Sequence, residues 1–177
     1  MEELPNTNVC VAAYVTAYGR LELYRHMEKL QSRLVYADTD SCILISPRDV
    51  REETLPTGNA LGDLTDELNA GEHIVEFVSG GPKCYAYRTS MGREKVTVKG
   101  ITLNSRNSDI ITFELLKEIV LGQGRDAVQV VDPNRFTRNL KERTIHTEPM
   151  AKKFRQVYTK RRLLSDNIST LPFGYKD

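Results

Sequence analysis

Apolar positions recur first at helical spacing. Val9, Ala13, Ala17, Leu21, Tyr24 and Met27 return every three or four residues through residues 8–31, the period of one α-helical face. Thr7 or Asn8 can cap the start, Pro5 sits just before, and Gly19 weakens the interior slightly. Ala13 and Ala17 are small enough for close packing, so this helix is expected to support a sheet. The period then changes. Leu34-Val35-Tyr36-Ala37 and Cys42-Ile43-Leu44-Ile45 are apolar runs of strand length around Asp38-Thr39-Asp40-Ser41, which reads as two short buried strands folded back on each other around Asp38 and Thr39.

Residues 46–68 form a polar connection broken by Pro47, Pro56 and Gly58, with a short acidic helical stretch predicted over Leu61–Asn69. Strand patterns follow at Ile74–Val78, Lys83–Arg88 and Lys95–Lys99, separated by Gly80-Gly81-Pro82 and by Ser90–Gly92. Alternation puts Lys83, Tyr85 and Tyr87 on one face of their strand, opposite Cys84 and Ala86. A second helix is predicted over Ser108–Leu121, capped by Ser108 or Asp109 and ended by Gly122. Short alternating pieces come next, Val128–Val131, Arg135–Leu140 and Arg143–Thr147, and then a basic run, Lys152–Arg162, interleaved with Phe154 and Tyr158. The predicted fold is α+β: an antiparallel sheet packed on two helices over residues 1–122, followed by a small β-rich part over 123–177.

Composition agrees with a globular chain and narrows its partners. Of 177 residues, 40% are hydrophobic and 28% charged, which argues against global disorder. The longest apolar run, Val9–Val15, is too short for a membrane span, and no secretory signal is apparent, so no membrane partner is expected. Three scattered cysteines, Cys10, Cys42 and Cys84, imply neither a disulfide framework nor a zinc cluster and favour a reducing, intracellular compartment. The net charge of +1 hides an asymmetry: Pro47–Glu76 holds eight acids and two bases, whereas Arg135–Arg162 holds ten bases and two acids. Such a basic block is what attraction to a phosphate backbone requires, although a solvated charged face has the same composition.

Two aspartates spaced i and i+2 at a hairpin tip repel each other unless a cation lies between them. Mg²⁺ suits that position, being a hard ion that shares one or two protein carboxylates with substrate phosphates. Asp and Thr are also ordinary turn formers, so the spacing alone is compatible with a plain turn. The longer string Tyr36-Ala37-Asp38-Thr39-Asp40-Ser41 between hydrophobic strands resembles the Tyr-x-Asp-Thr-Asp-Ser palm motif of family B DNA polymerases. The preceding Ala13-Tyr14-Val15-Thr16-Ala17-Tyr18-Gly19-Arg20-Leu21 is similar to the helix beneath that palm. Gly81-Pro82-Lys83-Cys84-Tyr85 resembles the later Lys-x-Tyr motif, especially of the protein-primed branch, and Lys99-Gly100-Ile101 resembles the lysine-glycine step after it. Tyr158-x-Lys160-Arg161-Arg162 and Leu171-Pro172-Phe173-Gly174-Tyr175 look like the end of such enzymes from viruses and large DNA transposons.

The resemblance implies a palm sheet followed by a thumb, and a DNA-directed DNA polymerase that extends a 3′ end with two Mg²⁺ ions. It makes Asp40, supported by Asp38, the metal-binding and catalytic carboxylate, with Tyr36, Thr39 and Ser41 shaping the motif. Lys83, Tyr85 and Lys99 would hold the primer strand, and Lys160 and Arg161 the duplex. The implied partners are DNA primer-template, deoxynucleoside triphosphates and, in the protein-primed branch, a terminal priming protein; the nucleus or a virus is an implied setting. Neither the upstream Asp-x-x-Ser-Leu-Tyr-Pro stretch nor the Lys-x-x-x-Asn-Ser-x-Tyr-Gly fingers helix of the family occurs in the sequence. The chain is therefore expected to correspond to the C-terminal part of such an enzyme and to be inactive alone, since two-metal chemistry needs carboxylates on both sides of the metals. The alternative from another class is a non-catalytic nucleic-acid-binding fragment using the basic ribbon. Asp38-Thr39 also matches part of the retroviral-type aspartic protease signature, but glycine is required next and Asp40 stands there.

Overall fold

The computed structural model describes residues 8–46, 55–60, 62–124, 126–166 and 169–175. The fold is α+β with antiparallel sheets, and the chain divides into two compact units, Met1–Glu67 and Leu68–Asp177.

In the first unit, helix α1 (Val9–Leu30) starts where Asn8 Oδ1 accepts the Val11 N–H at 3.0 Å, satisfying one of the free donors of the first turn. The apolar stripe expected to lie on a sheet is largely exposed instead: Val9 is 69%, Leu21 52% and Tyr24 57% accessible, and Leu30 alone in the helix is buried. The physical reason lies in the sequence. No charged residue occurs from Val9 to Gly19, so the first half of the helix has no polar face opposite its apolar stripe and no single face there selects a partner. A 3-10 turn at Gln31–Arg33 leads into strands β1 (Leu34–Asp38) and β2 (Ser41–Leu44). The acidic helix predicted over Leu61–Asn69 is not formed in the described residues of that stretch. Asp63 Oδ2 accepts the Ala60 N–H at 2.9 Å, and Thr57 bridges Leu64. A side chain that bonds the backbone locally competes with the helix, and Gly62 adds to its cost. Residues 47–54 of the connection lie outside the described residues.

In the second unit, β3 (Ile74–Gly81), β4 (Cys84–Thr89) and β5 (Glu94–Val98) form a meander in that order. The single helix predicted over 108–121 is two: α2 (Ser105–Ile110), capped by Asn104, and α3 (Phe113–Leu121), capped by Thr112 and ended by Gly122 at φ 65. Ile111, with ψ 86, breaks the ladder between them, and the Thr112 hydroxyl restarts it by accepting the Leu115 N–H. The core combines Val78 and Ala86 of the sheet with Phe113, Leu116 and Ile119 of α3. Val130 and Phe154 join it from a ribbon made of β6 (Ala127–Asn139) and β7 (Thr144–Arg155). Burying a side chain such as Phe113 or Leu116, both 0% accessible, stabilises by roughly 1.5–3 kcal/mol. The predicted short pieces are thus one long antiparallel pair. Pro133, which looks like an interruption, falls at the bulge between Asp132 and Arg135, where no ladder donor is required. A last hairpin pairs β8 (Arg161–Leu163) with β9 (Thr170–Pro172). Among the described residues no helix is long and apolar enough to cross a membrane.

Candidate functional site

The Asp-Thr-Asp string falls at the tip of the β1–β2 hairpin. Ala37 pairs with Cys42 and Asp38 with Ser41, leaving Thr39 and Asp40 as a two-residue loop. Asp40 N–H donates to Asp38 C=O at 2.6 Å, closing a three-residue turn centred on Thr39 at φ 53. Positive φ is costly for a β-branched residue, so this backbone is strained at its apex. Two side chains hold the tip: the Thr39 hydroxyl donates to Asp38 Oδ1 at 2.9 Å, and the Ser41 hydroxyl to the Asp38 carbonyl at 3.0 Å. Asp38 is thereby half-buried and oriented, whereas Asp40 is exposed. The strands themselves are half-buried rather than buried as predicted, because a two-stranded pair has too little cover to exclude water from both faces. Burial raises the Cys42 thiol above its ordinary range, which makes it a poor nucleophile.

Asp38 and Asp40 offer hard carboxylate oxygens, the donor type that Mg²⁺ takes. They fit the ion in kind but do not complete an octahedral shell, and among the described residues no group of three or more His, Cys, Asp or Glu gathers as a ligand set.

Lys83, Tyr85 and Lys99 belong to the second unit, where they share one end of the meander. Lys83 is not the first residue of a strand, as alternation suggested. It sits with Pro82 in the two-residue turn before β4, at φ 55, where glycine is usual after a turn proline. Cys84 pairs with Val98 and Tyr85 with Thr97, so Lys99, one residue beyond β5, extends from the same sheet end as Lys83. The Tyr85 ring stacks on Phe77 with centroids 5.9 Å apart. Tyr87 is buried, with the Lys95 ammonium 5.9 Å from its ring centre. The segment after β7 returns to this end: Val157 N–H donates to Gly80 C=O at 3.0 Å and the Tyr158 hydroxyl reaches Ser79 C=O at 3.4 Å. Lys160 follows, exposed, whereas Arg161 donates to Thr170 Oγ1 at 2.7 Å and to Thr170 C=O at 2.8 Å, clasping the β8–β9 hairpin.

Two charged clusters are absent from the sequence reading. Arg88 donates to Glu94 at 2.6 Å and to Glu114 at 2.8 Å while lying 4.5 Å over the Phe113 ring. Glu72, whose side chain is wholly inaccessible, binds Arg93 at 3.0 Å. Glu114 and Glu72 lie 26 and 21 residues from their arginines, so no local spacing signals them. No family model, no curated protein and no solved structure matches the chain.

Proposed function

We propose that the chain is the palm hairpin and thumb region of a family B-type DNA polymerase, serving template-directed addition of deoxynucleotides to a DNA 3′ end. One observation carries this reading: the string Tyr36–Ser41 forms a strand end, a strained two-residue apex and a strand start, with Asp38 held by Thr39 and Asp40 open to solvent. Asp40 offers its oxygens to Mg²⁺, and Asp38, oriented by the Thr39 hydroxyl, supports it. Mg²⁺, when bound, supplies charge stabilisation for the transferring phosphoryl group. Lys83 and Lys99 hold primer phosphates, the Tyr85 ring packs on sugar or base, and Lys160 and Arg161 meet the duplex. Two carboxylates from one turn do not clamp both ends of the transfer, so the chain alone is expected to incorporate no nucleotide.

Asp40→Asn in a longer polymerase carrying this segment is expected to lower primer extension by roughly a hundredfold or more. Unchanged extension would refute the assignment. Lys83→Ala should lower the salt slope of DNA binding by about 1, and an identical slope counts against a phosphate contact.

A non-catalytic nucleic-acid-binding role is the second reading, favoured by the exposed cations of the β6–β7 ribbon. Gel shifts with and without Mg²⁺, beside an incorporation assay in the longer protein, separate the two.

A further inference from the structure

Helix α1 turns one side to its own unit. Leu23, His26 and Met27 are half-buried and Leu30 is buried, recurring every three or four residues, and α1 meets β2. Composition chooses no side in the first half of the helix, so the fold chooses it. At about 100° per residue, the side left over carries Val11, Tyr14, Tyr18 and Leu21, flanked by Val15 and Tyr24, and all six are 52–68% accessible. The Tyr14 and Tyr18 rings adjoin, with centroids 6.5 Å apart. Val11, Tyr14, Tyr18 and Leu21 are spaced three, four and three, the repeat by which one helix packs along another. The next two positions of that seam are Arg25 and Glu28, both exposed. Together the six apolar side chains expose roughly 700 Å², above the ~300–600 Å² of a typical monomer's largest patch and close to the ~800 Å² a side of a stable interface.

We propose that this side of α1 is a self-association surface, on which two copies of the chain pair as antiparallel helices about an axis level with Thr16. Val11 of each copy then packs on Leu21 of the other, and Tyr14 on Tyr18. Charge selects both the occupant and its direction. No charged residue occurs from Val9 to Gly19, so a second copy meets no repulsion there and a phosphate backbone finds no cation. Helices that lie in a membrane surface carry lysine or arginine along a polar face, which this half lacks. Copies running in the same direction would set Arg25 on Arg25 and Glu28 on Glu28 within the seam, like charge against like. Reversed, Arg25 and Glu28 of each copy fall beyond the other's Asn8 cap, no charge enters the seam, and the two helix dipoles run in opposite directions. Pairing through α1 requires nothing of the polymerase reading, since Asp38 and Asp40 lie outside the seam.

Sedimentation velocity of the 177-residue chain from about 1 to 100 µM tests this, and a dimer is expected to grow with concentration and then saturate. A monomer throughout, or assembly beyond two copies, overturns the proposal. Tyr18→Glu, which brings carboxylates into the seam, is expected to weaken association roughly a hundredfold or more. Ala12→Glu, at an exposed position on the other side of α1, should leave it unchanged. Equal losses from both variants, or none from Tyr18→Glu, place the contact elsewhere and overturn the seam. Cross-linking reads the direction. Cys10 is six residues from the axis, so the two copies' Cys10 thiols are separated by twelve residues of helix, about 18 Å, and a short bismaleimide should not bridge them. Ala17→Cys combined with Cys10→Ser places two thiols across the axis, where the reagent should bridge, with Cys10→Ser alone as the blank. Bridging through native Cys10 overturns the antiparallel order, and no bridging through Ala17→Cys overturns the axis. Binding to phosphatidylcholine vesicles by a chain that stays monomeric, abolished by Tyr18→Glu, overturns a second copy in favour of a lipid surface. Circular dichroism checks the fold; if Tyr18→Glu unfolds, Leu21→Lys takes its place with the same readings.

Discussion

Cys84 and Glu72 illustrate how burial and hydrogen bonding pull single side chains in opposite directions. Burial pushes the Cys84 thiol up to about 11, while a backbone hydrogen bond at Gly80 pulls more weakly the other way. The thiolate is the reactive form, so at a mildly alkaline pH of about 8 Cys84 should resist a disulfide reagent that labels exposed Cys10 rapidly. Thiol counting by absorbance before and after urea checks this; fast labelling of Cys84 in the native chain contradicts it. Glu72 is shifted the opposite way. The Thr89 hydroxyl, the Asn69 N–H and the Arg93 guanidinium hold its carboxyl below the ordinary 4.5. A depressed acid contributes stability that is complete above its unfolded pKa and is lost as pH falls through the lower folded value. The urea midpoint should therefore fall on acidification from pH 4.5 downward, and Glu72→Gln should reduce that slope while lowering the midpoint at neutral pH. A variant that keeps the full acid slope would place the effect on another carboxylate.

Turns and hairpins govern what the elements can present. Thr39 and Lys83 both take positive φ at turns carrying candidate residues, and in each the neighbouring pairs Asp38–Ser41 and Gly81–Cys84 fix the register. Gly81 has φ 129, and a Cβ there would overlap the Val157 carbonyl, so the close approach of the returning chain depends on glycine. Gly81→Ala is expected to cost roughly 2 kcal/mol or more, by strain and by displacing residues 156–158 from the sheet end. Urea unfolding measures the cost, and exchange of the Val157 amide reports the displacement; a protected amide with unchanged midpoint would refute it. The strand and helix periods were readable before the fold. Pro133 hid the length of β6 because a bulge shifts register by a residue, and Thr112 hid a helix start because its neighbours Ile111 and Phe113 continue the apolar stripe.

At the scale of the whole chain the buried apolar residues are unevenly shared. Among the described residues of the first unit Leu30 and Leu55 are buried, whereas the second unit has a continuous core from Val78 through Phe113 to Phe154. Residues 68–177 expressed alone are therefore expected to unfold in one cooperative urea transition, and residues 1–67 alone to lack one. Circular dichroism decides; a non-cooperative 68–177 would mean that its core needs the first unit. By itself the sequence determined the periods of α1 and the strands, the breaks at glycine and proline, the paired acids of Asp38-Thr39-Asp40 and the basic C-terminal block. Those follow from sterics and burial among neighbours three, four or two residues apart. Only the tertiary structure decided that α1 stands exposed, that Lys83 belongs to a turn and that Arg88 and Glu72 find distant partners. Each depends on register and on contacts between residues far apart in the chain, where a shift of one position exchanges the buried face for the exposed one.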